Sequence, residues 1–323
     1  MALNLLILKG LDRDSKLATP TDLWETVEWF LQFKESDGCS SRTIEFYRQQ
    51  LRYFKDFVVD PVDPHVNLDE ITDDVIVAYL TKLRTRTSLH TGKRSQQKLS
   101  PWTVKAAYVA VRAFFKWCKT RGYIKAVPTD GLTARTGKLV KQFLPEGTYN
   151  TFLALCPTNT YLGARDAAVL ELLRTTPMRR AECTGLALDS LEWKANRIKV
   201  LGKRSKERYV PFETSAKKAM LNYLDYRRRR RSASKQTALW LSEEGKPLSL
   251  AGFEDIMKRL SVRSGLQYRD ICHCWRRDWA MRQLASGVSM KFVQLVGGWE
   301  DIKTLEGYVA AMESDQALGA KFV

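Results

Sequence analysis

The chain predicts a mainly α fold with a small antiparallel β-sheet, arranged as two domains. Three observations predict it. Amphipathic stretches at helical spacing follow one another from Thr21 nearly to the C-terminus. One segment after Leu188 switches to short alternating runs separated by turn residues. Between the two halves, residues 126–147 hold Pro128, Gly131, Gly137 and Pro145 but few apolar repeats, the composition of a linker. With 323 residues and 44% hydrophobic content, the chain is long enough for two separate cores.

Residues 1–18 carry little pattern and read as an N-terminal arm; the apolar run ALNLLIL is too short to span a bilayer and lacks a basic leader. The first helix is expected over 22–34, with Leu23, Val27, Phe30 and Leu31 on one face. In SSRTIEFYRQQLRYFKDFVV, the apolar positions Ile44, Tyr47, Leu51, Phe54 and Val58 step by three and four, and Arg42, Arg48 and Arg52 lie outside that stripe. Thr72, as N-cap, with Asp73 and Asp74 in the first turn, opens a third helix through Ile76, Leu80 and Leu83. The basic stretch RTRTSLHTGKRSQQK, which contains Arg94, is expected to be a loop. Ser100 and Pro101 then start a fourth helix with Val104, Tyr108, Val111, Phe115 and Cys118 as its buried stripe and Gly122 as its stop. These four helices make one unit over 19–125. The linker that follows is basic through Lys138 and Lys141, a character that suits either a DNA backbone or a plain solvated tether.

The second unit, 148–323, opens with helical periodicity over 148–173. Its one break in pattern, LEWKANRIKVLGKRSKERYVPF, reads as three short strands joined by two turns, after which helices resume at Ser215. The run of arginines from 227 to 231 reads as a solvated helix end with some chance of touching phosphate.

Charge narrows the partner. The chain carries 53 Lys plus Arg against 36 Asp plus Glu, a formal charge of +17, and a polyanion such as nucleic acid is the first candidate. Its six cysteines contain no CxxC pair, so disulfides and a zinc knuckle are not expected, and a reduced cytoplasmic, nucleoid-associated setting is. No membrane partner is expected.

Five polar positions upstream of Tyr308 fall where a DNA-cleaving tyrosine needs help. A phenol is a poor nucleophile near neutral pH, so a catalytic tyrosine requires cations and proton shuttles around it. Arg179 and Arg276 offer planar forks that match two phosphate oxygens and hold their charge. Glu182, three residues after Arg179, would share a helical face with it and could hold its guanidinium in place. Lys203 sits at a hairpin tip beside Gly202, where an ammonium could protonate a leaving oxygen, and Lys206 is a rival for the role. His273 lies three residues before Arg276, so both would face one phosphate. Trp299 supplies an indole donor and a ring to close the site. Each residue also has an ordinary reading: surface arginine, solvated hairpin lysine, core histidine, core aromatic. Cys272 and Cys274 beside His273 admit a metal reading that lacks a second ligand pair.

Together TPMRRAE, LGKRSKERYVPF, HCWRRDWA and VGGWEDIKTLEGY resemble, in order and spacing, the successive motifs of the tyrosine recombinase (phage integrase) family. The stretches SSRTIEFYRQQLRYFKDFV and WTVKAAYVAVRAFFKWCKTRGYI resemble its helical core-binding, SAM-like domain. Pro177 stands where the family usually has Gly, and Trp299 where it more often has His. The resemblance implies a mixed α/β catalytic domain with Arg179, Lys203, His273, Arg276, Trp299 and Tyr308 in the active site. It implies a site-specific recombinase that forms a 3′-phosphotyrosyl bond through Tyr308, with no metal, ATP or other cofactor. It also implies double-stranded DNA at a specific recombination site as partner, and a tetramer on that DNA to which the tail after Tyr308 could contribute. Accessory proteins are not legible. Candidate DNA contacts are Arg42, Arg48, Arg94, Lys105, Lys138, Lys141 and Lys206. A topoisomerase-like or hairpin-resolving activity without strand exchange is an alternative within the same chemistry, and a non-catalytic DNA-binding regulator is one outside it.

Overall fold

The computed structural model describes residues 22–59, 65–90, 93–137, 143–202, 207–266 and 271–319. The chain divides into two compact units, Met1–Lys138 and Leu139–Val323.

In the first unit, helices α1 (Leu23–Ser36), α2 (Ser41–Val58), α3 (Asp73–Thr85) and α4 (Pro101–Thr120) enclose a single core. Each begins for a local reason. The Asp22 carboxylate accepts from the N–H groups of Trp24 and Glu25, both at 2.9 Å, and Ser40 and Ser100 cap α2 and α4 through Thr43 and Thr103. Thr72 occupies the N-cap position of α3 without a side-chain bond, so that helix start relies on the charge of Asp73 and Asp74. Gly122, at φ +77°, ends α4 in the left-handed region. The core is aromatic: Phe30 is fully buried and meets Tyr47, Phe114 and Trp117 edge-on at centroid distances of 5.2–5.7 Å.

The basic stretch expected as a loop is instead a hairpin. Strand β1 (Thr87–His90) pairs antiparallel with β2 (Lys93–Lys98), placing Leu89 opposite Arg94. A ladder of backbone bonds needs no apolar alternation, so a polar hairpin leaves no period-2 signature in the sequence. Part of the expected linker is packed as well. The Tyr108 hydroxyl donates to the Leu132 carbonyl at 2.5 Å, Thr129 and Ala134 are buried, and Phe143 and Leu144 lie against the second unit's cores.

The second unit begins with α5 (Thr148–Ala154) and α6 (Tyr161–Thr175), two helices where one periodic stretch was expected. Helix α6 is buried on nearly every side, which is why it shows no amphipathic stripe. Its charged residues are paired rather than exposed: the Arg165 guanidinium forks onto Asp166 at 2.8–2.9 Å, Asp166 also accepts from Arg259, and Glu171 accepts from the Tyr149 hydroxyl. Short α7 (Arg180–Thr184) leads into a three-stranded antiparallel sheet of β3 (Leu191–Glu192), β4 (Arg197–Leu201) and β5 (Glu207–Pro211), in that order. Helices α8 (Thr214–Arg228), α9 (Leu250–Arg263), α10 (Ile271–Ala285), α11 (Met290–Gly297) and α12 (Lys303–Gly319) complete it.

The arginine run 227–231 is not simply solvated. Arg227 is buried and donates to the Gln236 and Ala238 carbonyls, both at 2.8 Å, Arg228 and Arg229 pair with Asp225, and Arg230 lies over the Tyr161 ring at 4.3 Å. A charge run read along the chain says nothing of which members the next turn folds over.

Replacing Phe30 with Ala removes the hub of the aromatic core and is expected to destabilise the first unit by about 3–5 kcal/mol, read as a lowered urea midpoint in equilibrium unfolding.

Candidate active site

The site begins where α6 ends. Thr176 leaves the helix in extended conformation, as a residue before proline must, and the Trp279 indole N–H of α10 donates to the Thr175 carbonyl at 3.0 Å, fixing that exit. Three residues on, Arg179 is the N-cap of α7. The Glu182 carboxylate turns back to accept its backbone N–H at 2.7 Å and its guanidinium at 2.8 Å. Arg208, on β5, forks onto the same carboxylate, with both Nη atoms at 2.8 Å.

The C-terminus of α11 gathers the cations. A helix ends with carbonyls that lack intrahelical partners and carry the negative end of the dipole. Here three consecutive carbonyls each accept from a different arginine: Val296 from Arg208 Nε at 3.1 Å, Gly297 from Arg276 Nη2 at 2.9 Å, and Gly298 from Arg179 Nη2 at 2.7 Å. Arg276 also donates to the carbonyl of Pro177, so the residue that replaces the family's usual glycine contributes through its backbone. Gly298, at φ +66°, closes α11 in the left-handed region.

Trp299 then folds over this end. Its ring lies 4.0 Å from the Arg276 guanidinium carbon and meets the Tyr308 ring edge-on at 6.1 Å. The close approach depends on Gly297, where a β-carbon would stand 1.8 Å from the indole. Asp301 caps the start of α12 through the Lys303 N–H at 2.9 Å, and one turn later Leu305 and Tyr308 enter a small core with Trp279, Val293 and Trp299. Tyr308 is 9% exposed and Arg276 3%.

Three guanidinium groups and one carboxylate, which pairs with Arg179 and Arg208, gather in a largely buried space, so the site holds net positive charge. Burial acts to raise the pKa of Glu182, but the Arg208 fork, the Arg179 N–H, the charge of Arg208 and the hydrogen bond from the Arg179 guanidinium outweigh it and hold the carboxyl at about 2. Burial, together with the neighbouring charges of Arg179 and Arg208, pushes Arg276 down to about 9 against the opposing pull of Glu182 and Tyr308. It remains protonated at neutral pH. An excess of buried cation is stabilised by an incoming anion, and a phosphodiester has the shape these forks fit.

Of the residues predicted from sequence, Arg179, Glu182, Arg276, Trp299 and Tyr308 lie together. His273 is on the first turn of α10, exposed, three residues before Arg276. Lys203 and Lys206 fall between β4 and β5 outside the described residues, as do Lys138 and Lys141. Arg94 is placed on β2. In the first unit, Arg42 is exposed near the start of α2, Arg48 pairs with Glu28 at 3.0 Å, and the Lys105 ammonium lies 5.3 Å from the half-exposed Trp102 ring. Among the described residues, no group of three side chains could hold a metal ion, and no helix is long and apolar enough to cross a membrane. Sequence reasoning missed Arg208. Its signal was available: it shares strand parity with the buried Val210, and a charged residue on the inward face of a strand requires a partner of opposite charge.

A family model described as the Phage integrase family matches residues 142–314, and one described as its N-terminal SAM-like domain matches residues 27–125. The chain is 28% identical over 287 residues to the tyrosine recombinase XerC of Oceanobacillus iheyensis, covering 87% of this chain and 90% of that protein. It is 28% identical over 291 residues to XerD of Listeria monocytogenes, with 88% and 93% covered. Among solved structures, the fold resembles XerH bound to a palindromic difH substrate after cleavage, with a TM-score of 0.69 at 17% identity over 94% of this chain and 97% of that one. It also resembles a lambda integrase tetramer bound to a Holliday junction, with a TM-score of 0.67 at 15% identity over 93% and 86%.

Fold and relatives define a tyrosine recombinase, an enzyme that cleaves and rejoins DNA strands in site-specific recombination. The chain belongs to the phage integrase family. These relatives do not favour the strand-relaxing alternative or the non-catalytic regulator.

Adding one methyl at Gly297 must displace the Trp299 ring. Gly297→Ala is expected to destabilise the second unit by about 1–3 kcal/mol, measured by thermal unfolding; Gly297 is outside the left-handed region, so the loss reports the clash with the indole.

Proposed function

We propose that Tyr308 is the nucleophile and that Arg179 and Arg276 clamp the scissile phosphate. The observation that carries this reading is the buried excess of guanidinium charge packed around Trp299 and Tyr308. The bonds to Glu182, Pro177, Gly297 and Gly298 orient both forks and leave N–H donors on each for non-bridging oxygens. Such donors, fixed before substrate arrives, stabilise the charge that builds on phosphorus in the transition state.

In the proposed step the Tyr308 oxygen forms a bond to phosphorus and the bond from phosphorus to the 5′ oxygen breaks, its electron pair leaving with that oxygen. Lys203 gives the leaving oxygen a proton, and His273, exposed beside Arg276, accepts the phenol's proton or holds a phosphate oxygen. The product is a 3′-phosphotyrosyl bond and a free 5′-hydroxyl. Attack by a 5′-hydroxyl from another strand reverses the step, so the bond energy is conserved without ATP or metal. Arg42 and Lys105, at the surface of the first unit, with Arg94, Lys138, Lys141 and Lys206, are proposed as backbone contacts. Arg48, already paired with Glu28, is the weakest of these candidates. The proposed working form is a tetramer on double-stranded DNA at a specific site, in the cytoplasm and on the nucleoid.

The test uses a pool of nicked duplexes of randomised sequence, from which covalently held DNA is recovered under denaturing conditions. Wild type is expected to yield an adduct. Tyr308→Phe should yield none while retaining affinity within about twofold, because one hydroxyl adds little beside many phosphate contacts; an adduct formed by that variant would remove Tyr308 from the role. Arg276→Ala is expected to slow adduct formation by roughly 10²-fold or more, and Arg276→Lys to recover only part of it, since a point charge does not reproduce the fork.

A further inference from the structure

Arg208 joins three parts of the site. Its two Nη atoms take both oxygens of Glu182 and its Nε takes the Val296 carbonyl, so β5, α7 and the end of α11 are tied through a single guanidinium. It is largely buried, with its side chain 15% exposed, and its distal carbons and guanidinium lie where a β-carbon on Gly298 would stand 3.1–3.3 Å from them. The fork is spent on Glu182, which in turn holds Arg179.

We propose that Arg208 is a positioning residue for strand cleavage, which acts by locking the Glu182 carboxylate so that Arg179 is held in one orientation, and which fixes the strand following Lys203 against the Trp299 end of α11. The inference rests on Arg179 being a phosphate clamp. Without Arg208, Arg179 is the remaining direct partner of Glu182 among the described residues. The groups facing that carboxylate are Arg179 at the start of α7, Arg208 from β5 and, further off, Arg276 from α10, itself near Tyr308 of α12. Burial favours the neutral acid, so removing the largest opposing influence raises the carboxyl pKa, and a protonated Glu182 no longer pairs with Arg179. The sign follows. In wild type, the stabilisation given by the charged carboxylate is complete above its ordinary value of 4.5 and fades only as pH falls toward about 2. In an Arg208 variant the loss moves to higher pH.

Two measurements test this. The carboxyl carbon of Glu182, followed by NMR in protein carrying labelled glutamate and assigned with Glu182→Gln, should show an ionised group at about pH 5 in wild type and a partly protonated one in Arg208→Gln. On a duplex recovered from the randomised pool, Arg208→Gln should form adduct about 10- to 100-fold more slowly, with DNA affinity unchanged and an additional fall between about pH 7 and pH 5, beyond the one that His273 as proton acceptor gives wild type and variant alike. Arg208→Lys returns a charge but not a fork. It should abolish that additional fall while leaving the rate about tenfold low. A Glu182 that stays ionised in Arg208→Gln, a Lys variant as fast as wild type, or loss of affinity in proportion to loss of rate would each overturn the proposal. Should Arg208→Gln not fold, Arg208→Lys decides it alone, since wild-type rate in that variant overturns it. Absence of adduct from wild type would instead sink the reading of Tyr308 and Arg179, with the titration still deciding whether Arg208 sets the state of Glu182.

Discussion

The end of helix α11 is the constraint on which the catalytic unit depends. A helix C-terminus left in a protein interior must find donors for its last carbonyls. This one finds three arginines from three different elements: the N-cap of α7, strand β5 and helix α10. Each arginine is also held by something else, so the carbonyls fix the position of the cations as much as the cations satisfy the carbonyls. The same local problem in helix stability thereby arranges the charge that a phosphodiester requires.

That arrangement has a cost which one carboxylate offsets. Burial disfavours a charged Arg276 and the neighbouring guanidinium groups repel it, and together they push its pKa well below the usual arginine range. Glu182, strongly ionised, is shared between Arg179 and Arg208 and partly cancels the repulsion without cancelling the site's net charge. Trp299 covers Arg276 with its ring face, an apolar surface with negative quadrupole that shields the cation without pairing it. Gly297 permits that contact because it carries no β-carbon.

The legibility of the sequence follows from the range of each interaction. Helices α1, α2 and α4 could be read from their stripes and caps because those signals lie within a few residues. The β1–β2 hairpin could not, because backbone pairing between polar strands leaves no hydrophobic alternation. Helix α6 and the preceding α5 merged into one expected stretch because a helix buried all round has no polar face to mark its phase. At the site, residue types and order pointed to Arg179, Glu182, Arg276, Trp299 and Tyr308, and the structure places these five together. Arg208 was passed over because it follows a stretch rich in Lys and Arg and its partners stand 26 and 88 residues away.

By itself, then, the sequence determined the two-domain, mainly helical plan, the basic character and which residue types were candidates for the site, because periodicity, charge and residue chemistry are local properties. Only the tertiary structure decided which arginine holds which carbonyl, that Glu182 serves two guanidinium groups, and that Trp299 lies between Arg276 and Tyr308. The decisive pairings, such as Arg208 with Glu182 and the three arginines with the end of α11, join residues tens of positions apart, and their geometry exists only once α11 ends where α7, β5 and α10 can reach it.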